Sequence, residues 1–354
     1  MRMRKIQDLL QQKGFDAVLI AGLENICYLT NFSGSEGYLV VGETEGFLLV
    51  DARYMTQAEE EANSCRPVLL ERGMKGVGEF LVSRGLAEVG LEAEAFTVAQ
   101  LEQLRQHVKA VRFVPLQEEL KSLRGFKSQE EVAWIRGAVD IAEDAWGGLI
   151  EMIRPGIQEQ AVALEFEYTM KKKGSKGVAF DLIVASGPRS ALPHAQPTDR
   201  MLEAGDFIIF DFGARHHGYN SDETCTIALG TASLEQERVY QIVKDAHDRA
   251  VEKVRPGVPL VEIDAAARDY IRDAGFEDRF GHGTGHGVGL AVHEWPVINK
   301  ESEDVAEEGM VFTIEPGIYI PGWGGVRIED MVLVTSGGCE VLTRIPKDLL
   351  IVRG

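Results

Sequence analysis

The segment GHGTGHGVGLAVHE, at positions 281–294, contains three histidines whose imidazoles could bind a metal ion or transfer protons. His282 and His286 have the four-residue spacing of a helical zinc motif, but glycine at every second position from 281 to 289 disfavours a helix. In an extended chain the same pattern leaves one face with hydrogen atoms only, so neighbouring backbone or a substrate can approach closely. We therefore predict an extended segment whose histidines serve a site rather than a core.

Two carboxylates occupy strand-like sequence further upstream, in FIIFDFGARHHGYNSDETCTIALG at 207–230. Apolar runs flank a polar, glycine-containing centre, a pattern typical of a β-hairpin. A turn centred on His216 and His217 would place Asp211 and Asp222 directly opposite each other, with Cβ atoms about 5 Å apart. Because two bare carboxylates so placed repel each other, the pattern favours a bound cation; two solvent-facing strand residues are the alternative.

Two glutamates repeat this arrangement near the carboxyl terminus, in VFTIEPGIYIPGWGGVRIEDMVLV. Glu315 ends one apolar run, Glu329 lies inside another, and a connection rich in proline and glycine separates them. Side chains alternate between the faces of a strand, so Arg327 and Glu329 point the same way. A glutamate here is therefore either a metal ligand or half of a structural ion pair with arginine.

A weak internal repeat spans the region that contains these groups. IRPGIQEQAVALEFEYTMKKKG and VRPGVPLVEIDAAARDYIRDAG both run from an R-P-G turn through a helical pattern to a glycine. The spacing from Arg154 to Gly174 equals that from Arg255 to Gly275. If R-P-G is more than a common helix-ending turn, the region consists of two similar helix-helix-strand halves, and a site between them draws ligands from both.

The first third of the chain has the pattern of a separate α/β unit. An amphipathic helix is predicted at 3–13, strands at DAVLIAG, ICYLTNF, GYLVVG and GFLLVD, and helices at RYMTQAEEEA and TVAQLEQLRQHV. The polar stretch KSLRGFKS at 121–128 predicts a boundary that divides the chain into domains 1–125 and 126–354. Ser128 and Glu131 form a capping box that begins a long helix.

Composition excludes several classes of function. The chain of 354 residues has no apolar run near the roughly 20 residues that a membrane span needs, and its amino terminus lacks a signal-peptide core, so we expect a cytoplasmic protein. The formal net charge of -19 argues against a nucleic-acid partner. The four cysteines lie far apart without a C-x-x-C pair, which indicates reduced thiols rather than disulfides or a zinc site.

Together these motifs resemble the proline-specific branch of the pita-bread metallopeptidases, peptidase family M24. The resemblance rests on HGTGHGVGLAVHE, EPG at Glu315, GGVRIED at 324–330, DFG at Asp211 and SDET at Ser221. That branch contains the Xaa-Pro dipeptidases, or prolidases, and the Xaa-Pro aminopeptidases, or aminopeptidase P. The resemblance implies an α/β (α+β) fold, in which a small creatinase/prolidase-like N-terminal domain precedes a pita-bread catalytic domain of two pseudo-symmetric halves. It also implies a homodimer.

The resemblance implies a dinuclear metal site as well. Its five ligands are Asp211, Asp222, His286, Glu315 and Glu329. Asp222 and Glu329 would bridge two divalent ions. Four carboxylates and one imidazole suit Mn(II) and can also take Co(II), Fe(II) or Zn(II). In this family a metal-bridging hydroxide hydrolyses the peptide bond without a covalent enzyme intermediate, and Glu315 corresponds to the proton shuttle.

Further site residues follow from the same resemblance. His194, in ALPHA, and His293, in VHE, match histidines that orient the substrate and stabilise the intermediate. Positions that support the ligands are matched by His282, Arg327, Tyr219 and Thr224. An arginine can hold a ligand carboxylate by a charge-assisted hydrogen bond. By contrast, His247 lies in an ordinary helical pattern and is expected to be solvated.

Substrate length is the main choice left open. Several dipeptidases of this family carry an arginine shortly after the His-Glu pair, where it can bind the free carboxylate of a dipeptide, whereas this chain has Val297 in HEWPVIN. We therefore expect an Xaa-Pro exopeptidase that acts on dipeptides or short peptides. A methionine-aminopeptidase-like or other non-proline aminopeptidase is one alternative. A non-catalytic pita-bread binding module is another, although such relatives typically lose ligands and this chain has all five.

Overall fold

A computed structural model describes residues 2–353, and the chain forms two compact units, Met1–Arg124 and Gly125–Gly354. Both units combine helices with β-sheets, so the predicted mixed α/β class is confirmed. The division falls one residue before the predicted boundary. Within the described residues, no helix is both long enough and apolar enough to cross a membrane.

The first unit is built around one six-stranded sheet with the order β4-β3-β2-β1-β5-β6. Its strands are β1 (Ala17–Ile20), β2 (Tyr38–Gly42), β3 (Gly46–Val50), β4 (Arg66–Leu69), β5 (Glu88–Glu92) and β6 (Arg112–Leu116). Its helices are α1 (Arg2–Lys13), α2 (Leu23–Thr30), α3 (Met55–Glu61), α4 (Met74–Ser83), α5 (Val98–His107) and α6 (Glu118–Lys121). Strand β1, with the sequence AVLI, is buried along its whole length, as expected for an uninterrupted apolar run inside a sheet.

The stretch ICYLTNF was predicted as a strand, and this prediction is wrong because the segment belongs to helix α2. A short apolar run fits both periodicities, and here Ile26 and Leu29 are buried one helical turn apart. The helix ends at Asn31, whose left-handed backbone (φ 67°) caps it. At its beginning the Glu92 carboxylate accepts hydrogen bonds from the backbone of Ala21 and Gly22, a contact from a distant strand.

The second unit combines four long helices with two main sheets. The helices are α7 (Gln129–Ile150), α8 (Glu159–Lys172), α9 (Leu234–Lys253) and α10 (Leu260–Asp273). One sheet has the order β19-β11-β8-β7, formed by β7 (Ile183–Ser186), β8 (Phe207–Phe212), β11 (Glu223–Leu229) and β19 (Leu350–Val352). The other has the order β13-β12-β14-β17-β18, formed by β12 (Gly285–Gly287), β13 (Glu294–Ile298), β14 (Val311–Ile314), β17 (Asp330–Thr335) and β18 (Gly338–Val341).

Two small hairpins complete this unit. They are β9 (Arg215–His216) with β10 (Tyr219–Asn220), and β15 (Gly317–Ile320) with β16 (Gly324–Arg327). The capping box predicted for α7 is confirmed, since the Ser128 hydroxyl accepts from the Glu131 amide and the Glu131 carboxylate accepts from the Ser128 amide.

The internal repeat is present in the structure. Gly156 and Gly257 close the two R-P-G turns with nearly equal φ angles of 83° and 82°. Their amides donate to equivalent carbonyl oxygens, those of Leu202 and Ala306. In each half a pair of packed helices, α7 with α8 or α9 with α10, is followed by antiparallel strands. The two halves predicted from the sequence are therefore confirmed.

The hairpin that carries Asp211 has a different register from the one predicted. Thr224, not Asp222, is the cross-strand partner of Asp211. The turn is centred on His217 and Gly218, which adopt positive φ angles of 49° and 85°, one residue later than predicted. Moving the centre by one residue moves each partner by two, so both aspartates stay on the same face as diagonal neighbours. The shared face was predicted correctly, but the direct pairing was wrong.

The glycine-rich segment has little space for side chains. A Cβ atom on Gly285 would lie 1.8 Å from the Thr313 carbonyl oxygen of the adjacent strand β14. A Cβ atom on Gly287 would lie 2.4 Å from the Trp295 carbonyl oxygen. The alternating glycines thus allow close approach of neighbouring backbone, one of the two causes proposed from the sequence.

Gly285→Ala is expected to destabilise the second unit by roughly 1–3 kcal/mol, because backbone must move to accept the methyl group. Thermal and urea unfolding of the purified variant would measure the loss. Gly281→Ala is the matched control in the same segment, since no heavy atom lies within 4 Å of its Cβ position. Equal unfolding midpoints for the two variants would contradict this account.

Candidate active site

The second unit contains a cavity of about 630 Å³ whose floor is rich in carboxylates. All five ligands predicted from the sequence line it, namely Asp211, Asp222, His286, Glu315 and Glu329. The first two come from one half of the repeat and the other three from the second half. The structure therefore brings together groups that are separated by more than a hundred positions along the chain.

The distances within this group are short. One ligand atom each from Asp222, His286 and Glu329 can be chosen so that all three lie within 4.8 Å of one another. The Nε2 atom of His286 lies 3.3 Å from Glu315 Oε1 and 3.7 Å from Asp222 Oδ2. Strand ends position these side chains: Asp222 directly precedes β11, Glu315 follows β14, and Glu329 directly precedes β17.

Three carboxyl groups of this cluster, those of Asp222, Glu329 and Glu315, have raised pKa values. Burial, followed by the charges of Glu329 and Asp211, raises the pKa of Asp222 well above its ordinary value. Burial and then the charge of Glu315 do the same to the pKa of Glu329. Burial also raises the pKa of Glu315 to about 8. A cation among them would favour the ionised forms.

Two further observations fit a cation. Asp211 Oδ1 is buried and accepts no hydrogen bond from any described residue, which is costly for a carboxylate oxygen unless a cation or water reaches it. Burial, followed by the charge of His293, lowers the pKa of His286 to about 4, so its imidazole is neutral near pH 7. With Nδ1–H directed at the Gly287 carbonyl 3.2 Å away, the Nε2 lone pair faces the carboxylates. The donor set thus suits divalent metal ions.

Arg327 supports the cluster from behind and is almost completely buried. Its guanidinium donates to Asp211 Oδ2 at 2.6 Å, to the Tyr319 hydroxyl at 2.9 Å and to Thr224 Oγ1 at 3.1 Å. The Thr224 hydroxyl in turn donates to Glu329 Oε2 at 2.6 Å. Arg327 and Thr224 therefore lie where supporting residues were expected.

His282 lines the cavity and joins the same hydrogen-bond chain. Its Nε2 atom lies 3.0 Å from the Tyr319 hydroxyl, and its Nδ1 atom lies 2.8 Å from the Gly283 carbonyl. Burial, then the charge of Arg327, lowers the pKa of His282 to about 4. Tyr319 was missed in the sequence, because it lies on β15 and Glu315 follows β14, so no single alternation pattern joins the two residues.

The remaining predicted residues divide into two groups. His194 and His293 are exposed on the cavity wall, and the His293 ring centroid lies 4.2 Å from that of His286. Tyr219 is not among the residues that line the cavity. Its hydroxyl donates to Glu131 and its ring packs against Trp134 at 5.3 Å. Hairpin β9–β10 directs its ring towards helix α7, and the supporting role of Tyr219 stays a prediction.

One buried ion pair at the cavity had no sequence signal. Lys127 Nζ lies 2.9 Å from the carboxylate of Glu294, and both side chains are nearly inaccessible to solvent. Glu294 lines the cavity beside His293. Lys127 lies within the stretch interpreted as an interdomain boundary, and its partner is remote in sequence, so no spacing pattern could reveal the pair.

Residues 133–336 match the family described as Metallopeptidase family M24, and residues 2–126 match the Creatinase/Prolidase N-terminal domain. The chain belongs to metallopeptidase family M24. The predicted family is thereby confirmed, and so are the fold class and the assignment as a metallopeptidase, that is, a hydrolase.

Several M24 relatives match along the whole chain. The Xaa-Pro dipeptidase of Pyrococcus furiosus is 40% identical over 353 residues, covering 99% of each chain. The solved Xaa-Pro dipeptidase from Bacillus anthracis is 38% identical, with a TM-score of 0.94 and 99% of each chain covered. The solved X-Pro aminopeptidase from Thermotoga maritima MSB8 is 36% identical, with a TM-score of 0.88, covering 96% of this chain and 98% of its own.

Proposed function

We propose that this metallopeptidase is an exopeptidase with two divalent metal ions that hydrolyses the Xaa-Pro bond at the amino terminus of dipeptides or short peptides. The observation that carries the proposal is the convergence of four carboxylates and one imidazole from both halves of the repeat on one cavity. The names of the dipeptidase and aminopeptidase relatives support proline as the preferred second residue.

The five residues would hold the ions with balanced formal charge, since four carboxylates neutralise two dications. The family resemblance implies that Asp222 and Glu329 would be the ligands shared by the two ions, and each directly precedes a strand of its half, β11 or β17. When bound, two such ions lower the pKa of a water molecule and polarise the scissile carbonyl. Mn(II) is the expected ion, and Co(II), Fe(II) or Zn(II) could also occupy an oxygen-rich site of this kind.

The protein's own residues would bind the peptide and move protons. Glu315 is assigned the transfer of a proton to the leaving proline nitrogen, because its carboxyl group lies in the cavity beside His286. His194 and His293 reach the cavity from its wall, where imidazole N–H groups can donate to the oxygen on which negative charge develops. The side chains of Arg327 and Thr224 hold two of the carboxylates in place.

Removal of metal is expected to abolish hydrolysis of Ala-Pro-Ala, and added Mn(II) or Co(II) is expected to restore it. At a metal concentration 100 times Kd, binding should stabilise the fold by roughly 2.7 kcal/mol, which thermal unfolding can detect. Ala-Ala-Ala and Met-Ala-Ser are the comparison substrates. A metal-loaded protein that cleaves these two peptides but no Xaa-Pro peptide would contradict the preference for proline and favour the methionine-aminopeptidase-like alternative.

The cavity also bears on peptide length. Among the described residues that line it, Arg327 is the only lysine or arginine, and its guanidinium is buried and engaged with protein groups. Val297, which is half-exposed, presents an apolar side chain to the cavity. The terminal carboxylate of an Xaa-Pro dipeptide would thus find no available lysine or arginine among the described residues that line the cavity. We infer a preference for peptides whose carboxylate lies beyond the cavity.

The kcat/KM for Ala-Pro-Ala is expected to exceed that for Ala-Pro by about fivefold or more, the effect of roughly 1 kcal/mol of uncompensated charge. Val297→Arg should raise kcat/KM for Ala-Pro by about tenfold and leave Ala-Pro-Ala less affected. Val341→Arg, at a similarly exposed position that does not line the cavity, is the control. Faster hydrolysis of Ala-Pro than of Ala-Pro-Ala by the unmodified enzyme would contradict the length preference.

A further inference from the structure

A buried lysine lies behind the carboxylate cluster and contacts two acids. The ammonium of Lys347 contacts Glu223 Oε1 and lies 3.3 Å from Asp330 Oδ1. All three side chains are less than a tenth exposed. Such buried charges are stable only when they are paired, so the three groups form one electrostatic unit.

The two acids are the immediate neighbours of the assigned bridging ligands. Glu223 directly follows Asp222, and Asp330 directly follows Glu329. Successive side chains on a strand point to opposite faces, so Lys347 contacts the reverse face of both ligand-bearing strands. Since β11 belongs to one half of the repeat and β17 to the other, this lysine joins the halves at the position where their ligands meet.

The two carboxylates depend on Lys347 to different extents. Asp330 has other partners: its Oδ1 accepts from Thr343 at 2.6 Å, and its Oδ2 lies 3.1 Å from His247 Nε2. His247 was expected to be solvated and is instead buried, because helix α9 packs this face inwards. Among the described residues, the Glu223 carboxylate has polar side-chain contact with Lys347 only, and its Oε2 atom accepts no hydrogen bond.

The segment that carries Lys347 is itself fixed to the four-stranded sheet that contains β11. Strand β19, just after the lysine, pairs in parallel with β11, and the Tyr240 hydroxyl donates to the Lys347 carbonyl oxygen at 3.1 Å. The backbone of Lys347 is therefore held in place, so its ammonium can restrain both β11 and β17 through Glu223 and Asp330. On the opposite face the ligand carboxylates repel one another until cations bind.

We propose that Lys347 is a positioning residue that holds Asp222 and Glu329 at the spacing required to bridge two metal ions. It contacts neither substrate nor ligand and acts through Glu223 and Asp330. This inference rests on the proposed dinuclear function. Groups that hydrogen-bond directly to metal ligands typically contribute about 10–100-fold to metal affinity, and we expect an effect near the lower end of this range for a residue one contact further away.

The test uses the full-length metal-free protein and Mn(II) alone as the probe. Calorimetric titration should show Mn(II) binding by Lys347→Met at least about tenfold weaker than by the unmodified protein. With two Mn(II) ions added per protein molecule, electron paramagnetic resonance should show a spin-coupled pair of ions in the unmodified protein and isolated ions in the variant. Excess Mn(II) should restore most of the variant's activity on Ala-Pro-Ala.

Arg344→Met is the matched control, because Arg344 lies in the same segment and pairs with two acids, Asp140 at 2.5 Å and Glu143 at 2.6 Å. Those contacts are on α7 and do not involve Glu223 or Asp330, so Mn(II) affinity should be unchanged. If Lys347→Met binds Mn(II) as tightly as the unmodified protein, the lysine is merely structural and the inference is overturned, whatever happens to the unfolding temperature.

A second variant covers the case in which Lys347→Met does not fold. Glu223→Gln keeps the shape of the side chain and removes one charge that Lys347 holds, and we expect a several-fold loss of Mn(II) affinity in a folded protein. Unchanged affinity in this variant overturns the inference as well. The proposed dinuclear function fails separately, when the unmodified protein itself binds fewer than two Mn(II) ions.

Discussion

Asp222→Asn is expected to lower kcat/KM for Ala-Pro-Ala by about 10³-fold or more, equivalent to at least roughly 4 kcal/mol of transition-state stabilisation. Asp222 lies at the centre of the cluster, within reach of both His286 and Glu329. An amide of the same shape keeps one neutral oxygen but cannot supply the negative charge or the second oxygen that a bridging ligand needs.

The same substitution should have the opposite effect on the metal-free fold. Burial and neighbouring charges raise the pKa of Asp222, so its ionised form destabilises the protein when no cation is present. Metal-free Asp222→Asn should therefore unfold at a higher temperature than the metal-free unmodified protein at pH 8. Addition of Mn(II) should then stabilise the unmodified protein and have little effect on the variant.

The pH dependence provides an independent check, and its sign follows from the raised pKa values. The pKa of Glu315 is about 8 in the metal-free fold, against an ordinary value of 4.5. Between these values the folded state binds more protons than the unfolded state, so the free energy of unfolding falls as the pH rises. His282 and His286, whose pKa values are lowered to about 4, act in the opposite direction below their ordinary value of 6.5. The metal-free protein should thus lose stability from about pH 6.5 to about pH 8. A flat profile over this window, together with an active Asp222→Asn enzyme, would refute the carboxylate cluster.

Local patterns in the sequence were sufficient to predict most of the site. Alternation along strands predicted that Asp211 and Asp222 share a face, and it remained correct when the register proved to be different by two residues. Glycine spacing likewise predicted close backbone contact in the segment around His286. Both are properties of short stretches of chain, whose periodicity survives small errors in the position of a turn.

Contacts between distant segments could not be predicted in this way. The sequence favoured Tyr219 and Thr224 equally as supporting residues. The Thr224 hydroxyl donates to the predicted ligand Glu329, whereas the Tyr219 hydroxyl donates to Glu131 of helix α7, a residue remote in sequence. The pairing of Lys127 with Glu294 and that of Lys347 with Glu223 join segments remote in sequence. The helix at ICYLTNF depends similarly on Glu92, which closes its amino-terminal end from another strand.

Glu315→Gln is expected to lower kcat for Ala-Pro-Ala by about 10²–10⁴-fold, the usual contribution of a positioned acid or base, and to change KM by less than about threefold. The amide keeps the size of the side chain and an oxygen that can bind a metal ion, but it cannot release or accept the proton that the leaving nitrogen requires. Kinetics should be measured at saturating Mn(II), with metal content determined on the same samples. Glu308→Gln, at an exposed position in the same unit, is the control and should leave kcat unchanged.

The two roles assigned to Glu315 can be separated by this variant. If the carboxylate only holds metal, the loss of kcat should follow the loss of bound Mn(II) and disappear when excess Mn(II) refills the site. If it also transfers the proton, kcat should stay low when Mn(II) fully occupies the site. The pH profile of kcat should then lose the limb that titration of Glu315 produces in the unmodified enzyme. The position of the side chain, 3.3 Å from His286 and open to the cavity, is compatible with both contacts. Because the Glu315 carboxyl group lines the cavity that a bound peptide would occupy, we expect the second result.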